Sequence, residues 1–245
     1  DPRYCDGLQQ FSEEYQMHST MRTTLLAAAG VTILAGCASA PPQPSAKNMT
    51  FFVTSVGPGK GGDLGGLAGA DAPCQKLAAA AGASPDRVWR AYLSTQAPAL
   101  TDPNFVNARD RIGPGPWQNF NGVMIARSVD ELHSPASNLN KQTTVDERGG
   151  LVNGRTEKPN QHDMLTGSRP DGTAFAGAPF PDMTCGNWTK SGKDGSAMTG
   201  HHDTAGPIET PWAVSWNSAH PTRGCDPAGV ASTGGAGLFY CFAAK

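Results

Sequence analysis

Four cysteines constrain the fold of this chain more than any other feature of its sequence. They are Cys74, Cys185, Cys225 and Cys241, and they follow a segment with the pattern of an export signal. An even number of cysteines in an exported protein typically forms disulfides. We therefore expect two disulfides, with three pairings left open. No Cys-x-x-Cys motif occurs, so neither a zinc knuckle nor a thioredoxin-type site is indicated.

The export signal is predicted at residues 21–36. Met21 and Arg22 precede an apolar run over 25–35, which is too short for an ordinary transmembrane helix. The run ends in Leu34-Ala35-Gly36-Cys37, which resembles the lipobox at which bacterial lipoproteins are cleaved and acylated on cysteine. We expect Cys37 to carry lipid and to anchor the protein in a membrane. The alternative is a plain secretory signal with an incidental cysteine.

The regions on either side of Cys37 complete the predicted organisation. Residues 37–48 form a tether with a proline-rich stretch at 40–44, and Ala38 after the lipidated cysteine favours the outer membrane by resemblance to enterobacterial sorting. Residues 1–20 lie upstream of Met21, and we interpret them as a misassigned start or an extended polar n-region. A single folded domain is expected over 49–245.

The composition argues against several classes of protein. With 30 glycines and 20 prolines the chain is typical of a loop-rich globular domain and not of a coiled coil. The net charge is −2 and the basic residues are scattered, so no nucleic-acid partner is expected.

Hydrophobic patterning predicts an α+β domain. A helix is expected after Asp71 as N-cap, with Pro73 in its first turn and Gly82 after its end. Shorter helices are expected at 104–111 and 129–133. Predicted strands, which form a small antiparallel sheet, are 50–56, 88–94, 123–126, 162–166, 184–189, 212–217 and 238–243.

Five motifs occur in the same order as in endostatin. They are the glycine-rich run 61–74 with Gly69-Ala70-Asp71 before Cys74, Trp89-Arg90-Ala91-Tyr92-Leu93-Ser94, Thr166-Gly167-Ser168-Arg169-Pro170-Asp171-Gly172, Cys185-Gly186-Asn187-Trp188, and the cysteine strand 238–243. The chain thus resembles endostatin and the wider C-type lectin-like domains. This resemblance implies a C-type lectin-like fold with nested disulfides, Cys74–Cys241 and Cys185–Cys225.

The chain also departs from these families. The arm over 38–50 lacks the histidines with which endostatin binds zinc, and no arginine cluster for heparin is present. Glu157-Lys158-Pro159-Asn160 and Trp216-Asn217-Ser218 only partly match the calcium-binding motifs of sugar-binding lectins. Because calcium prefers several carboxylates, we expect ligand binding that does not require calcium, and we predict no cofactor.

Histidines and acidic residues offer an alternative chemistry. His162, Asp163, His201 and His202 are candidate metal ligands, although their simpler role is to bond loop carbonyls. A metal-dependent enzyme using His162, His201 and His202 would need these side chains and an acidic group to converge. No Gly-x-Ser-x-Gly elbow occurs and the cysteines are otherwise assigned, so we expect no enzyme.

The sequence therefore favours an envelope-anchored binding module for a glycan or protein partner. We expect its recognition surface on the loops 187–211 and 219–235, because this fold carries recognition on loops over a fixed scaffold. Candidate ligand-binding residues are Trp212, His201, His202 and Asp203, with Trp212 exposed and Trp188 and Trp216 in the core. The alternative is a structural envelope lipoprotein without a small ligand, which predicts a flat, polar loop surface.

Overall fold

Short strands and helices organise residues 43–245, the part of the chain that the computed structural model describes. The predicted signal peptide, Cys37 and the start of the tether lie outside the described residues. The strands are β1 (Phe51–Val53), β2 (Trp89–Ala91), β3 (Trp117–Gln118), β4 (Met124–Ala126), β5 (Asp163–Leu165), β6 (Met198–His201), β7 (His220–Pro221), β8 (Gly235–Leu238) and β9 (Tyr240–Ala243). The helices are α1 (Gly66–Ala81), α2 (Ala108–Arg111), α3 (Val129–Leu132), α4 (Cys185–Trp188) and α5 (Pro227–Ala231).

The first sheet brings the two ends of the domain together. Its order is β1-β9-β2, and both pairings are antiparallel. Helix α1 packs on one face, where Cys74 forms a disulfide with Cys241 of β9. The other face of β9 carries Tyr240 and Phe242, which pack in a second apolar cluster with Phe51 and Trp117. Strand β9 therefore belongs to both cores, because successive side chains of a strand point to opposite faces.

Helix α1 begins earlier than the predicted cap. It starts at Gly66, so Asp71 and Pro73 lie inside the helix, while Gly82 ends it in a left-handed conformation as expected. The Asp71 side chain is used in tertiary contacts instead. Its carboxylate accepts hydrogen bonds from the guanidinium groups of Arg90 and Arg111 and from the backbone N–H of Ala91. This carboxylate joins α1 to β2.

The second sheet is mixed and not wholly antiparallel. Its order is β7-β6-β5-β8, in which β5 and β8 run parallel and the other two pairs antiparallel. Strand β6 and helix α5 lie in segments that the sequence predicted as loops. A two-stranded sheet of β3 and β4 completes the fold.

Two predicted strands are wrong. Residues 184–189 contain the short helix α4, in which Cys185, Asn187 and Trp188 all have positive φ. The Thr184 hydroxyl accepts from the N–H of Asn187, so a local side-chain bond replaces strand pairing. Residues 212–217 form turns within a loop.

The two disulfides are Cys74–Cys241 and Cys185–Cys225. This is the nested pairing that the resemblance implies, and the broad prediction of a mixed α/β domain with short elements and two disulfides is confirmed. Trp188 is fully buried and donates its indole N–H to the carbonyl of Ser94, as expected for a core residue. Among residues 43–245, no helix is long and apolar enough to cross a membrane.

Candidate functional site: a histidine–aspartate cluster below a long loop

Three neighbouring strands of the second sheet bring three histidines and one aspartate together. Asp163 in β5 lies directly opposite His201 in β6, and β7 supplies His220 beside Thr199. His162 immediately precedes β5. One ligand atom from each of these residues, His162, Asp163, His201 and His220, can be chosen so that all four lie within 4.8 Å of one another.

The Nε2 atoms of the three imidazoles point to a common centre. Nε2 of His201 lies 3.0 Å from Nε2 of His220. The Asp163 Oδ1 atom is 3.0 Å from Nε2 of His162, 3.5 Å from that of His201 and 3.6 Å from that of His220. The rings of His162 and His201 stack with centroids 4.2 Å apart. The cluster is therefore compact and directed inward.

The other ring nitrogen of each histidine faces a hydrogen-bond acceptor outside the cluster. Nδ1 of His201 lies 2.6 Å from the carbonyl oxygen of Ala213. Nδ1 of His162 lies 3.3 Å from Oδ1 of Asp203, and Nδ1 of His220 lies 3.3 Å from the carbonyl oxygen of Pro221. Since these oxygens only accept, each Nδ1 carries a proton.

Asp163 is the most deeply buried member of the cluster. Its side chain is fully inaccessible to solvent, and neither carboxylate oxygen has a hydrogen-bond partner among the described residues. Nε2 of His162 lies 3.0 Å from Oδ1 of Asp163, but this pair does not have the geometry of a hydrogen bond. A buried carboxylate without hydrogen-bond donors is costly, and here only the ion pair with His162 offsets part of its desolvation.

Burial and neighbouring charges shift the pKa values of the residues in and around the cluster in different directions. Burial disfavours protonated His162, but the carboxylates of Asp163 and Asp203 outweigh this effect and raise its pKa to about 9. Burial also disfavours ionised Asp203, yet His162 and the backbone N–H groups of Arg155 and Ala205 lower its pKa to about 2. Burial, followed by the charge of His162, lowers the pKa of His201.

The predicted site residues are only partly brought together. His162, Asp163 and His201 converge as the metal alternative required. His202 does not, because its Nε2 lies 3.0 Å from the carbonyl oxygen of Asn153. His220 takes the fourth position instead. Sequence reasoning missed it because it lies on a two-residue strand, which is too short to give an alternating pattern.

A long loop, 202–219, leaves the cluster after His201 and returns to it at His220. Its tip is exposed and partly apolar, with Ile208 54% and Trp212 46% accessible. Its base is held by the backbone N–H of His201, which donates to Ser215, and by Trp216, which is buried against Tyr92 and Tyr240. The loop thus combines a fixed base with an accessible tip.

Of the four candidate ligand-binding residues, one is exposed at the loop tip and three are turned inward. Trp212 is exposed as predicted, whereas His201 and His202 are buried and Asp203 is turned inward to His162. The two segments predicted as recognition loops also contain strands and a helix. Residues 187–211 include β6, and 219–235 include β7 and α5. The irregular segment spans 202–219 and lies across the boundary between those two predictions.

The two partial calcium motifs have structural roles. The Asn217 amide is buried and donates to the hydroxyl of Tyr92 and to the carbonyl of Arg169. Glu157 forms an ion pair with Lys141 at 2.5 Å. Neither side chain belongs to the histidine–aspartate cluster.

Comparison with known proteins adds no family to this description. The chain matches none of the protein-family models against which it was compared, and a search of curated proteins finds no match.

Proposed function

We propose that this protein is a binding module with a C-type lectin-like fold, displayed on the bacterial cell envelope, which recognises a glycan or protein partner through the tip of the loop 202–219. The observation that carries the proposal is the exposure of Ile208 and Trp212 on a loop whose two ends are fixed in the core. An exposed tryptophan face packs well on the CH face of a sugar or on an apolar protein side chain.

A fixed base favours recognition because it lowers the entropy lost on binding. The loop is held by backbone bonds on one side and by buried Trp216 on the other. Apolar exposure at the tip also weighs against the purely structural alternative, which predicts a flat, polar loop surface. Large aromatic anchors are the residues that most often dominate binding energy.

The fold assignment rests on the five endostatin-like motifs, and the nested disulfides support it. The long-range bridge joins the first helix to the last strand, which is the connection that the resemblance implies. The shorter bridge holds α4, which carries the Cys-x-x-Trp motif, to the segment before α5.

The location of the protein is proposed from its sequence. Leu34-Ala35-Gly36-Cys37 supports lipidation of Cys37, and two acyl chains are sufficient for stable membrane attachment. Expression from Met21 in a bacterial host should give a palmitate-labelled product in the detergent phase. The same chain with Cys37→Ser should be unlabelled and should remain in the aqueous phase, and equal partitioning of both would refute the anchor.

Binding is tested with the unlipidated Cys37→Ser chain on a glycan array and against envelope proteins in calcium-free buffer. Replacing Trp212 by alanine should weaken binding by at least about tenfold, as expected for an aromatic anchor. Phe180→Ala is the matched control, because Phe180 is also exposed and lies outside the loop 202–219. Full affinity in the Trp212→Ala variant, or affinity that appears only after calcium is added, would contradict this proposal.

A further inference from the structure

We propose that His162, Asp163, His201 and His220 form a binding site for one divalent transition-metal ion of the zinc class. This inference is independent of the proposed recognition of a glycan or protein, since it concerns the base of the loop 202–219 and not its tip. It rests on the geometry of the four side chains and on the hydrogen-bond partners around them.

The spacing of the four side chains fits a tetrahedral centre. Zinc binds imidazole nitrogen and carboxylate oxygen at roughly 2.0–2.2 Å, which places ligands of a tetrahedron about 3.3–3.5 Å apart. Four of the six separations in this cluster lie between 3.0 and 3.6 Å, and the other two, from His162 to His201 and His220, are no more than 4.8 Å. A small contraction or expansion of the side chains would bring all four to bonding distance of a central ion.

The hydrogen bonds around the cluster direct one nitrogen of each ring to its centre. The Thr199 hydroxyl donates to the carbonyl of His220, so it can only accept from Nδ1 of His220. Together with the acceptors opposite His162 and His201, this places a proton on every Nδ1, so that Nε2 is the nitrogen of each ring that a metal ion would bind in place of a proton. Three Nε2 atoms and the carboxylate of Asp163 converge, and two of the nitrogens are 3.0 Å apart.

The outer hydrogen bonds follow the pattern of metal-binding histidines. Such histidines almost always donate their second ring N–H to a carboxylate or a backbone carbonyl, which fixes the ring and increases its basicity. Here these acceptors are Asp203 for His162, Ala213 for His201 and Pro221 for His220. Asp203 is itself held by the N–H groups of Arg155 and Ala205.

Asp163 provides the second, independent indication of a ligand. Its carboxylate is fully buried, points into the cluster and has no hydrogen-bond partner among residues 43–245. A metal ion would satisfy one or both of its oxygens. Its negative charge would also offset part of the charge of a divalent cation, which makes a neutral-histidine and carboxylate set favourable in a low-dielectric interior.

The types and number of the ligands indicate which metal would bind and whether its role would be structural or catalytic. Three imidazoles and one carboxylate suit zinc, copper or nickel and are a poor match for calcium, which prefers six to eight oxygens. Four protein ligands complete a tetrahedral shell, which is typical of structural zinc and leaves no open position for catalysis. The ion would hold three strands together and fix both ends of the loop 202–219.

The test uses the full chain with a purification tag that contains no histidine. The protein is stripped with a chelator, and Zn²⁺ is titrated by calorimetry, with Co²⁺ as an optical probe of tetrahedral coordination. We expect one ion per chain. Asp163→Asn and His220→Gln should each weaken binding by more than the roughly 10- to 100-fold that is typical when a ligand loses only its outer hydrogen-bond partner.

Two control histidines lie outside the cluster. His202→Gln removes the buried neighbour of His201, and His133→Gln removes a half-buried histidine that bonds Tyr92. Both should keep the wild-type affinity. His220 is 29% exposed, so His220→Gln carries the least risk to folding, and circular dichroism checks each variant. Failure of the wild type to bind one Zn²⁺ or Co²⁺ would overturn the proposal, as would unchanged affinity in either folded cluster variant.

Discussion

Two buried aspartates show how differently two regions of this molecule are stabilised. One region is helix α1 with the first sheet, here the α1 side, and the other is the histidine–aspartate cluster of the second sheet, here the histidine side. Asp71, on the α1 side, is paired with Arg111 and Arg90 and accepts a backbone N–H, so its carboxylate is fully satisfied within the fold. Asp163, on the histidine side, is buried more deeply and has no hydrogen-bond partner among the described residues. The α1 side also contains the long-range disulfide.

The difference is that hydrogen-bond donors of the fold meet the carboxylate of Asp71, whereas no hydrogen bond among the described residues meets that of Asp163. A buried charge is tolerated when it is paired and hydrogen-bonded, and it is otherwise a strong destabilising element. Asp71 acts as a connector between a helix and a strand. Asp163 is positioned to interact with a species that the chain itself does not supply, and the following variants test this contrast.

The largest effect is expected from removing the long-range disulfide. By the chain-entropy relation, the Cys74–Cys241 bridge, with a sequence separation of 167, contributes about 5 kcal/mol. The Cys185–Cys225 bridge, with a separation of 40, contributes about 4 kcal/mol. Urea unfolding of the two paired Cys→Ala variants measures both free energies. A greater loss from the Cys185–Cys225 variant would reverse the assignment of the main constraint to the α1 side.

Asp71→Asn should destabilise the protein by about 3–5 kcal/mol, because it leaves the buried guanidinium of Arg111 without a counter-charge. The matched control is Asp130→Asn. Asp130 pairs with Arg109 but is itself 92% exposed, so its loss should change the free energy of unfolding by less than about 1 kcal/mol. Equal effects in the two variants would show that burial does not control the strength of these pairs.

Asp163→Asn should have a much smaller effect than Asp71→Asn in the absence of metal. Without metal, it should lower the free energy of unfolding by less than about 1 kcal/mol, because the side chain makes no hydrogen bond that the variant would lose and relief of the buried charge offsets the lost ion pair with His162. Zinc at 100 times its dissociation constant should stabilise the wild type by about 2.7 kcal/mol. The variant should gain much less. Thermal unfolding with chelator and with zinc gives both values, and a large metal-free loss would show that Asp163 is stabilised by the chain alone.

The smallest effect is expected at the tip of the loop. Trp212→Ala should change stability by no more than about 0.5 kcal/mol, because the side chain is largely exposed. Trp188→Ala should cost about 3–5 kcal/mol, since that indole is fully buried in the α1-side core. A substantial loss of stability in the Trp212→Ala variant would mean that the tip is part of the core.

The sequence predicted the elements whose patterns are local. Strands were expected around Phe51, Trp89 and Tyr240, and all three form the first sheet. The prediction failed at β6, whose Gly200 lowers its apparent strand propensity. That glycine is required by close packing, because a Cβ atom there would lie 1.9 Å from the carbonyl oxygen of Trp216. The contact involves a distant part of the chain, so no local pattern could indicate it.

The candidate site was predictable only in part for the same reason. Adjacent residues, His162 with Asp163 and His201 with His202, marked the region in the sequence. The choice between His201 and His202 depends on the register of β6 against β5, which places His201 opposite Asp163. His220 arrives through a separate strand pairing. Long-range pairing, and not residue type, decides which histidines converge.

The bridge between Cys74 and Cys241 also determines how the protein responds to a mechanical load. In the antiparallel pair of β1 and β9, Phe51 lies opposite Phe242, so a pull on the two chain ends would peel these strands apart from their outer residues. The peeling would release β1 and the chain up to Cys74 and would stop there, because the covalent bridge passes the load from Cys74 directly to Cys241 and closes off the 167-residue separation between them. Under oxidising conditions most of the contour length is therefore inextensible, and a reductant would act as the switch that releases it.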